Sequence, residues 1–88
     1  MDKRTIVSSL AMDLRRAAQG LHRGSFASAN IFKQEALKRG QELENANPEE
    51  YLQKIWLKTK LALEGTQERA EDFLMYSILF QNYTLKKL

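Results

Sequence analysis

Apolar residues recur every three or four positions along most of the chain, a spacing that predicts amphipathic helices. The first helix is predicted from Lys3 to His22, with Asp2 as its N-cap. Gly24 follows as a left-handed stop, and Gly20 offers a competing end. The apolar residues of this segment share one side of the helix: Val7, Leu10, Leu14, Ala17 and Leu21. We therefore expect this side to face the core.

A second helix is predicted directly after this turn, with Ser25 as its N-cap. One side of it carries aromatic, small and apolar residues: Phe26, Ala29, Phe32, Ala36, Gly40 and Leu43. The small residues among them allow a neighbouring helix to approach closely. Because the link at Gly24-Ser25 is so short, the first two helices are expected to fold back as an antiparallel hairpin.

The clearest local signal is the sequence Asn47-Pro48-Glu49-Glu50, which predicts the start of a third helix. Asn47 is the expected cap, and Pro48 suits the first helical position because its missing N–H costs nothing there. Glu50 can reach back to the cap. One side of the predicted helix then carries Leu52, Ile55, Trp56, Thr59, Ala62 and Leu63.

The third helix is predicted to end near Glu64, with Gly65 as its stop and Thr66 as the cap of a fourth helix over residues 67–86. The alternative is one long helix over residues 48–88, because a single glycine costs only about 1 kcal/mol in a helix interior. We favour two helices, since a stop signal and a start signal stand side by side.

Four helices joined by short turns predict an all-α, up-down-up-down four-helix bundle. The chain has 88 residues, 43% of them hydrophobic and 28% charged, which is the balance of a folded domain. We therefore predict a single helical domain over residues 1–88.

The fourth helix has more apolar surface than one bundle core requires. Its apolar residues cover about 260° of the helix circumference, whereas a surface helix needs a stripe of about 100°. Only Ser77, Gln81 and Thr84 oppose this arc, and the third helix adds an outward pair. Large exposed apolar patches mark partner sites, so we predict a homodimer, or another protein partner, at an interface formed by Leu57, Leu61, Met75, Tyr76, Leu79, Phe80 and Tyr83.

The residue types needed for catalysis or metal binding are few. The chain has no cysteine and one histidine, His22, so neither a thiolate site nor a carboxylate–imidazole metal site is predicted. Signatures for nucleotides, flavins and nicotinamides are missing, so no cofactor is predicted. Capping and solvation account for the acidic cluster: Glu42, Glu44, Glu49 and Glu50. We predict no catalytic residues and no enzymatic activity.

Charge is divided unevenly along the chain. Residues 1–40 carry eight Lys/Arg and three Asp/Glu, a net charge of +5, whereas residues 41–88 carry six and eight, a net charge of −2. Such a division suits acidic partners, or one protomer meeting another head to tail. The cations of the first helix are candidate phosphate-binding residues, which makes nucleic-acid binding the alternative function: Lys3, Arg4, Arg15, Arg16, His22 and Arg23.

No apolar stretch reaches the roughly 20 residues of a membrane span, and no signal peptide is evident at the N-terminus. We therefore expect a cytoplasmic protein with no membrane partner.

Three segments resemble the helical hairpin of HEPN-type four-helix bundles and of proteins encoded by ribosomal-RNA intervening sequences: 14–18, 24–29 and 35–38. The resemblance implies a dimeric bundle and, in some relatives, a link to RNA or to toxin–antitoxin partners. Catalytic HEPN members carry an Arg and a His a few residues apart on a late helix. Arg16 and His22 have a similar spacing, but they lie on the first helix. Ribonuclease activity is thus a remote alternative to a self-associating, non-enzymatic interaction module.

Overall fold

The computed structural model of this chain describes residues 2–65 and 69–87. Within these residues the chain forms four α-helices and no strand, which confirms the predicted all-α bundle. The helices are α1 (Lys3–His22), α2 (Phe26–Asn45), α3 (Glu50–Glu64) and α4 (Ala70–Lys86). The merged alternative for the last two helices is therefore wrong. Thr66 and Gln67, the predicted cap and first residue of the fourth helix, lie outside the described residues.

The predicted bounds of α1 are confirmed at both ends. Asp2 caps the helix, since its Oδ1 accepts from the Thr5 N–H at 2.8 Å. At the other end Gly24 has φ of +75°, and the Ser25 N–H donates to the Gly20 carbonyl at 2.8 Å. This left-handed residue and backbone bond reverse the chain within three residues, so α1 and α2 form the predicted hairpin.

Glycines on α1 and α2 give neighbouring groups the space that a Cβ atom would take. A Cβ atom at Gly20 would lie 2.9 Å from the Ala29 backbone nitrogen, so the two helices touch there through their backbones. A Cβ atom at Gly40 would lie 1.9 Å from the Trp56 ring. The indole therefore fills the space over Gly40, and its Nε1–H donates to Glu44 Oε1 at 2.7 Å.

The start of α3 differs from the prediction. The helix begins at Glu50, with Glu49 at the N-cap position and no side-chain cap bond. Asn47 has φ of +53°, so it forms part of the turn and does not cap the helix. Pro48 is buried ahead of the helix, where its carbonyl accepts from Gln53 Nε2 at 2.8 Å. The Glu49 carboxylate does not cap the helix and instead accepts a hydrogen bond from Tyr83 of α4.

The four helices form a bundle in which each helix packs against two neighbours. α1 packs closely on both α2 and α4, whereas α3 contacts the same two helices much less extensively. The backbones of α1 and α3 lie on one diagonal, and those of α2 and α4 lie on the other. Fully buried side chains of every helix fill the space between them, among them Leu14, Leu43, Leu52 and Phe80. Among the residues that the structure describes, no helix is long and apolar enough to span a membrane.

The orientation of α4 corrects the prediction most. Ser77 and Thr84, which the pattern placed opposite the apolar arc, are only 3% and 5% exposed. Their hydroxyls donate to the Leu74 and Gln81 carbonyls, so burial leaves no hydroxyl without a partner. These small side chains let α4 lie close to α1. Because this side of α4 faces the bundle, larger apolar residues of α4 lie in solvent.

The same orientation of α4 buries Phe80 and Tyr83, which had been predicted to face a partner. They are 0% and 6% exposed and belong to the core of the single chain. Tyr76 and Leu79 are half-buried and pack against that core. These four residues therefore complete the bundle, and the prediction that they form an outward surface is corrected.

Candidate interaction face

An apolar stripe runs along the solvent side of α4, next to α1. Leu74, Ile78 and Leu85 are 44%, 48% and 71% exposed. At about 100° per residue, the three lie within about 40° of each other around the helix. Met12 of α1 is also exposed. We define the α1–α4 face as this stripe with the charged residues beside it: Met12, Leu74, Ile78 and Leu85, with Arg4, Arg15, His22, Arg23 and Glu71.

Two cavities along the seam between α1 and α4 give this face its shape. The larger, about 600 Å³, lies between the C-terminal end of α1 and the start of α4 and has a mostly apolar lining. The smaller, about 250 Å³, lies at the opposite end, where Arg4 is next to Leu85. Arg15 lines both cavities, so they adjoin at this residue, and we call the two cavities together the groove.

The groove repeats the same pairing at its two ends. Arg4 shares the smaller cavity with Leu85, and Arg15 shares the larger cavity with Leu74. Arg4 and Arg15 are 11 positions apart on α1, and Leu74 and Leu85 are 11 positions apart on α4. Each separation corresponds to about 16 Å at 1.5 Å per residue. A cation on α1 therefore lies beside a leucine on α4 at both ends of a face about three helical turns long.

Charge is separated across the groove. The groove-lining residues that α1 supplies include Arg4, Arg15, His22 and Arg23 and no carboxylate. Those that α4 supplies include Glu71 and no cation. The α1 edge of the face is therefore basic, and the α4 edge is apolar and acidic.

The six candidate phosphate-binding residues do not all reach this groove. Arg4, Arg15, His22 and Arg23 line it. Arg16 lies on the α2 side, with its guanidinium 5.6 Å from the centre of the Phe32 ring. The Lys3 Nζ donates to the Asn47 carbonyl at 3.5 Å, at the other side of α1.

The predicted interface is likewise only partly exposed. Leu57 and Leu61 are 59% and 73% exposed, but they lie on α3, across the diagonal from α1. Met75 is exposed and lies about 100° around α4 from Leu74. The residues that sequence reasoning missed are Leu74, Ile78 and Leu85. The sequence did contain a signal for the close contact between α1 and α4, which leaves these residues outside. Each helix carries two small residues seven positions apart: Ala11 and Ala18 on α1, Ser77 and Thr84 on α4.

At the other side of α4 an aromatic pair joins it to α3. The Tyr83 hydroxyl donates to the Glu49 carboxylate in a short hydrogen bond, and its ring stacks on Tyr51 with centroids 5.4 Å apart. Burial and then this hydrogen bond raise the pKa of Tyr83 to about 12. The contact closes the bundle where α3 begins and α4 ends.

A buried carboxyl group lies between α1 and α2. Asp13 is 9% exposed, and burial raises its pKa, although the nearby Arg39 guanidinium lowers it. Asp13 is on the side of α1 that faces α2, away from the groove. It therefore belongs to the α1–α2 packing and adds nothing to the α1–α4 face.

The α1–α4 face combines exposed apolar side chains with cations. Arg16 and His22, the pair with HEPN-like spacing, are about 120° apart around α1, and only His22 lines the larger cavity. Among residues 2–65 and 69–87 no three acidic or histidine side chains are grouped as a metal site would require. Exposed apolar side chains with cations along one edge are the feature that a macromolecular partner can use.

Comparison of the chain with protein-family models, with curated proteins and with solved structures found no match.

Proposed function

We propose that this protein is a non-enzymatic interaction module that self-associates through the α1–α4 face. The observation that carries the proposal is the exposure of Leu74, Ile78 and Leu85 on one side of α4 while the core beneath is complete. Full burial of an exposed leucine or isoleucine side chain is worth roughly 1.5–3 kcal/mol, and Leu74 and Ile78, which are 44% and 48% exposed, have about half of that still to gain. A stripe three turns long therefore favours association with another apolar surface.

A second copy of this chain is the occupant that the charges favour. The two edges of the face differ in charge, with cations on α1 and Glu71 on α4. The whole chain has the same division, with net charges of +5 for residues 1–40 and −2 for residues 41–88. A surface that carries both signs on separate edges can match its own copy, which is the requirement for a symmetric dimer.

Sedimentation equilibrium of the full chain, from 1 to 100 µM, tests the proposal. We expect the mass to approach twice 10.2 kDa. Ile78→Glu buries a charge in the apolar stripe, so it should shift the protein to monomer while far-UV circular dichroism keeps its helical spectrum. Leu85→Glu should act in the same way.

Leu61→Glu is the matched control, because Leu61 is at least as exposed as Leu85 but lies on α3. We expect this variant to remain dimeric. A wild-type monomer throughout the concentration range would overturn the proposal. A dimer dissociated by Leu61→Glu and unaffected by Ile78→Glu would place the interface on α3 instead.

Nucleic-acid binding is the second candidate, because Arg4, Arg15 and His22 share one exposed side of α1. Phosphate contacts release counterions, so binding of a single-stranded or duplex RNA oligonucleotide should weaken steeply with salt. Arg15→Ala should reduce the salt slope by about one. Fluorescence anisotropy measures this, and no binding in 20 mM salt would remove this candidate.

A further inference from the structure

The way in which two copies of this chain meet rests on the proposed self-association. We infer that the dimer axis runs parallel to the helices, so that α1 of each protomer lies on α4 of its partner and Arg15 faces Glu71 of the partner subunit. Four helices then meet in two antiparallel α1–α4 pairs.

Two symmetric arrangements can cover the α1–α4 face with its own copy. If the axis lies across the helices, α1 meets α1, and the edge with Arg4, Arg15 and His22 meets the same cations of the partner. If the axis runs along the helices, α1 meets α4. Like charges placed opposite one another destabilise an interface, whereas opposite charges steer and fix it. The charge division of the groove therefore favours the second arrangement.

The positions of the charged residues along the bundle axis agree with this arrangement. α1 and α4 are antiparallel, and Arg15 lines the larger cavity together with Glu71 and Leu74. A rotation about an axis parallel to the helices keeps every residue at its own level. The larger cavity of one protomer therefore meets the larger cavity of the other, which brings Arg15 of each protomer towards Glu71 of the partner subunit.

The charged groups concerned are available for such a contact. Arg15 and Glu71 are both exposed, and among the described residues they form no ion pair with each other. Arg4 and Arg23 lie nearer the two ends of the groove, where solvent screens them. Arg15 is thus the cation nearest the middle of the face, and it shares the larger cavity with Glu71.

Charge-reversed variants test the arrangement. Arg15→Glu places two carboxylates together at each contact, and Glu71→Arg places two cations together. Each variant alone should weaken dimerisation by about tenfold or more. An equimolar mixture of the two variants should form a heterodimer, because both of its contacts then pair opposite charges. Sedimentation of the mixture, with one variant carrying a fluorescent label, measures this directly.

The mixture separates this inference from its alternatives. If α1 met α1, Arg15→Glu alone would relieve repulsion and strengthen the dimer. If Arg15 and Glu71 paired only within one chain, the mixture would associate no better than either variant. Both results overturn the inference while the wild-type dimer stands. A wild-type protein that remains monomeric contradicts the proposed function itself, and Lys58→Glu on α3 is the control that should leave the dimer unchanged.

Discussion

α1 and α4 are both long helices of one bundle, yet their sequences determine their orientations to different degrees. In α1 apolar residues occupy one side, and that side holds the fully buried Val7, Leu10 and Leu14. In α4 apolar residues occupy most of the circumference, and the buried side includes Ser77 and Thr84. A one-sided helix has one way to bury its apolar surface. A helix that is apolar nearly all round is oriented by the shape of its neighbours.

The contact between the two helices shows how shape decides. α1 offers Ala11 and Ala18 on the side that faces α4, and α4 offers Ser77 and Thr84 in return. Small side chains bring two helices close together, and dispersion contacts increase with that closeness. The hydroxyls of α4 bond to their own helix, so their burial costs little. Leucine and isoleucine then remain outside, where they form the α1–α4 face.

The largest effect is expected inside α1. Leu14→Ala removes a fully buried side chain and should lower the free energy of unfolding by about 3 kcal/mol. Met12→Ala, on the exposed side of the same helix, should change it by less than about 0.5 kcal/mol. Urea denaturation followed by circular dichroism measures both, in an Ile78→Glu background that removes any effect of association. Equal losses for the two variants would contradict the one-sided burial of α1.

The next effect tests whether small residues orient α4. Ser77→Leu makes the helix more apolar but inserts a large side chain into the close contact with α1, so we expect a loss of about 2 kcal/mol. Gln81→Leu adds the same side chain at an exposed position and should cost almost nothing. The same denaturation assay applies. If Ser77→Leu is as stable as its parent, α4 can rotate, and hydrophobicity alone orients it.

A smaller effect is expected where α4 meets α3. Tyr83→Phe removes the hydrogen bond to Glu49 and should lower the free energy of unfolding by about 1 kcal/mol near neutral pH. Tyr51→Phe keeps the stacked ring and serves as the control. A loss no larger than that of the control would show that the bond adds nothing to stability.

The same tyrosine gives a pH dependence. The pKa of Tyr83 rises from 10.0 to about 12 in the folded protein, so folding favours the protonated hydroxyl. The resulting stabilisation is complete below pH 10 and is lost as the pH rises through about 12. Denaturation midpoints between pH 9 and 12 should therefore fall more steeply for the parent than for Tyr83→Phe. Parallel curves would contradict the raised pKa.

The smallest effect is expected on the outer stripe of α4. Leu85→Ala, at a residue that is 71% exposed, should change the stability of the monomeric background by less than about 0.5 kcal/mol. The same change should weaken dimerisation of the otherwise unmodified chain. Phe80→Ala, on the buried side of α4, should cost at least about 3 kcal/mol in the monomer. A loss above 1 kcal/mol for Leu85→Ala would mean that this stripe belongs to the fold.

Local signals predicted much of this fold. The bounds of α1, the left-handed Gly24 and the end of α3 at Glu64 are as predicted, because caps and glycine stops act within a few residues. The predicted start of α3 was wrong, since Asn47 has a positive φ and Glu49 stands at the N-cap position. Glu49 accepts the Tyr83 hydrogen bond, a contact between residues 34 positions apart.

The candidate site was predicted only in part. Arg4, Arg15 and His22 were predicted as candidate phosphate-binding residues of the first helix, and α1 places all three along the groove. Their apolar neighbours on α4 were missed, because the pattern of α4 indicates too much apolar surface without saying which part remains outside. Phe80 and Tyr83 were assigned to the outside for the same reason.

By itself, the sequence determined that this protein has four helices, where α1 begins and ends, and which side of α1 is buried. Those features depend on helical periodicity and on capping, which involve residues close in the chain. Only the tertiary structure decided which side of α4 faces solvent. That choice depends on how closely two helices can approach, and closeness is a property of two facing surfaces that neither segment carries alone.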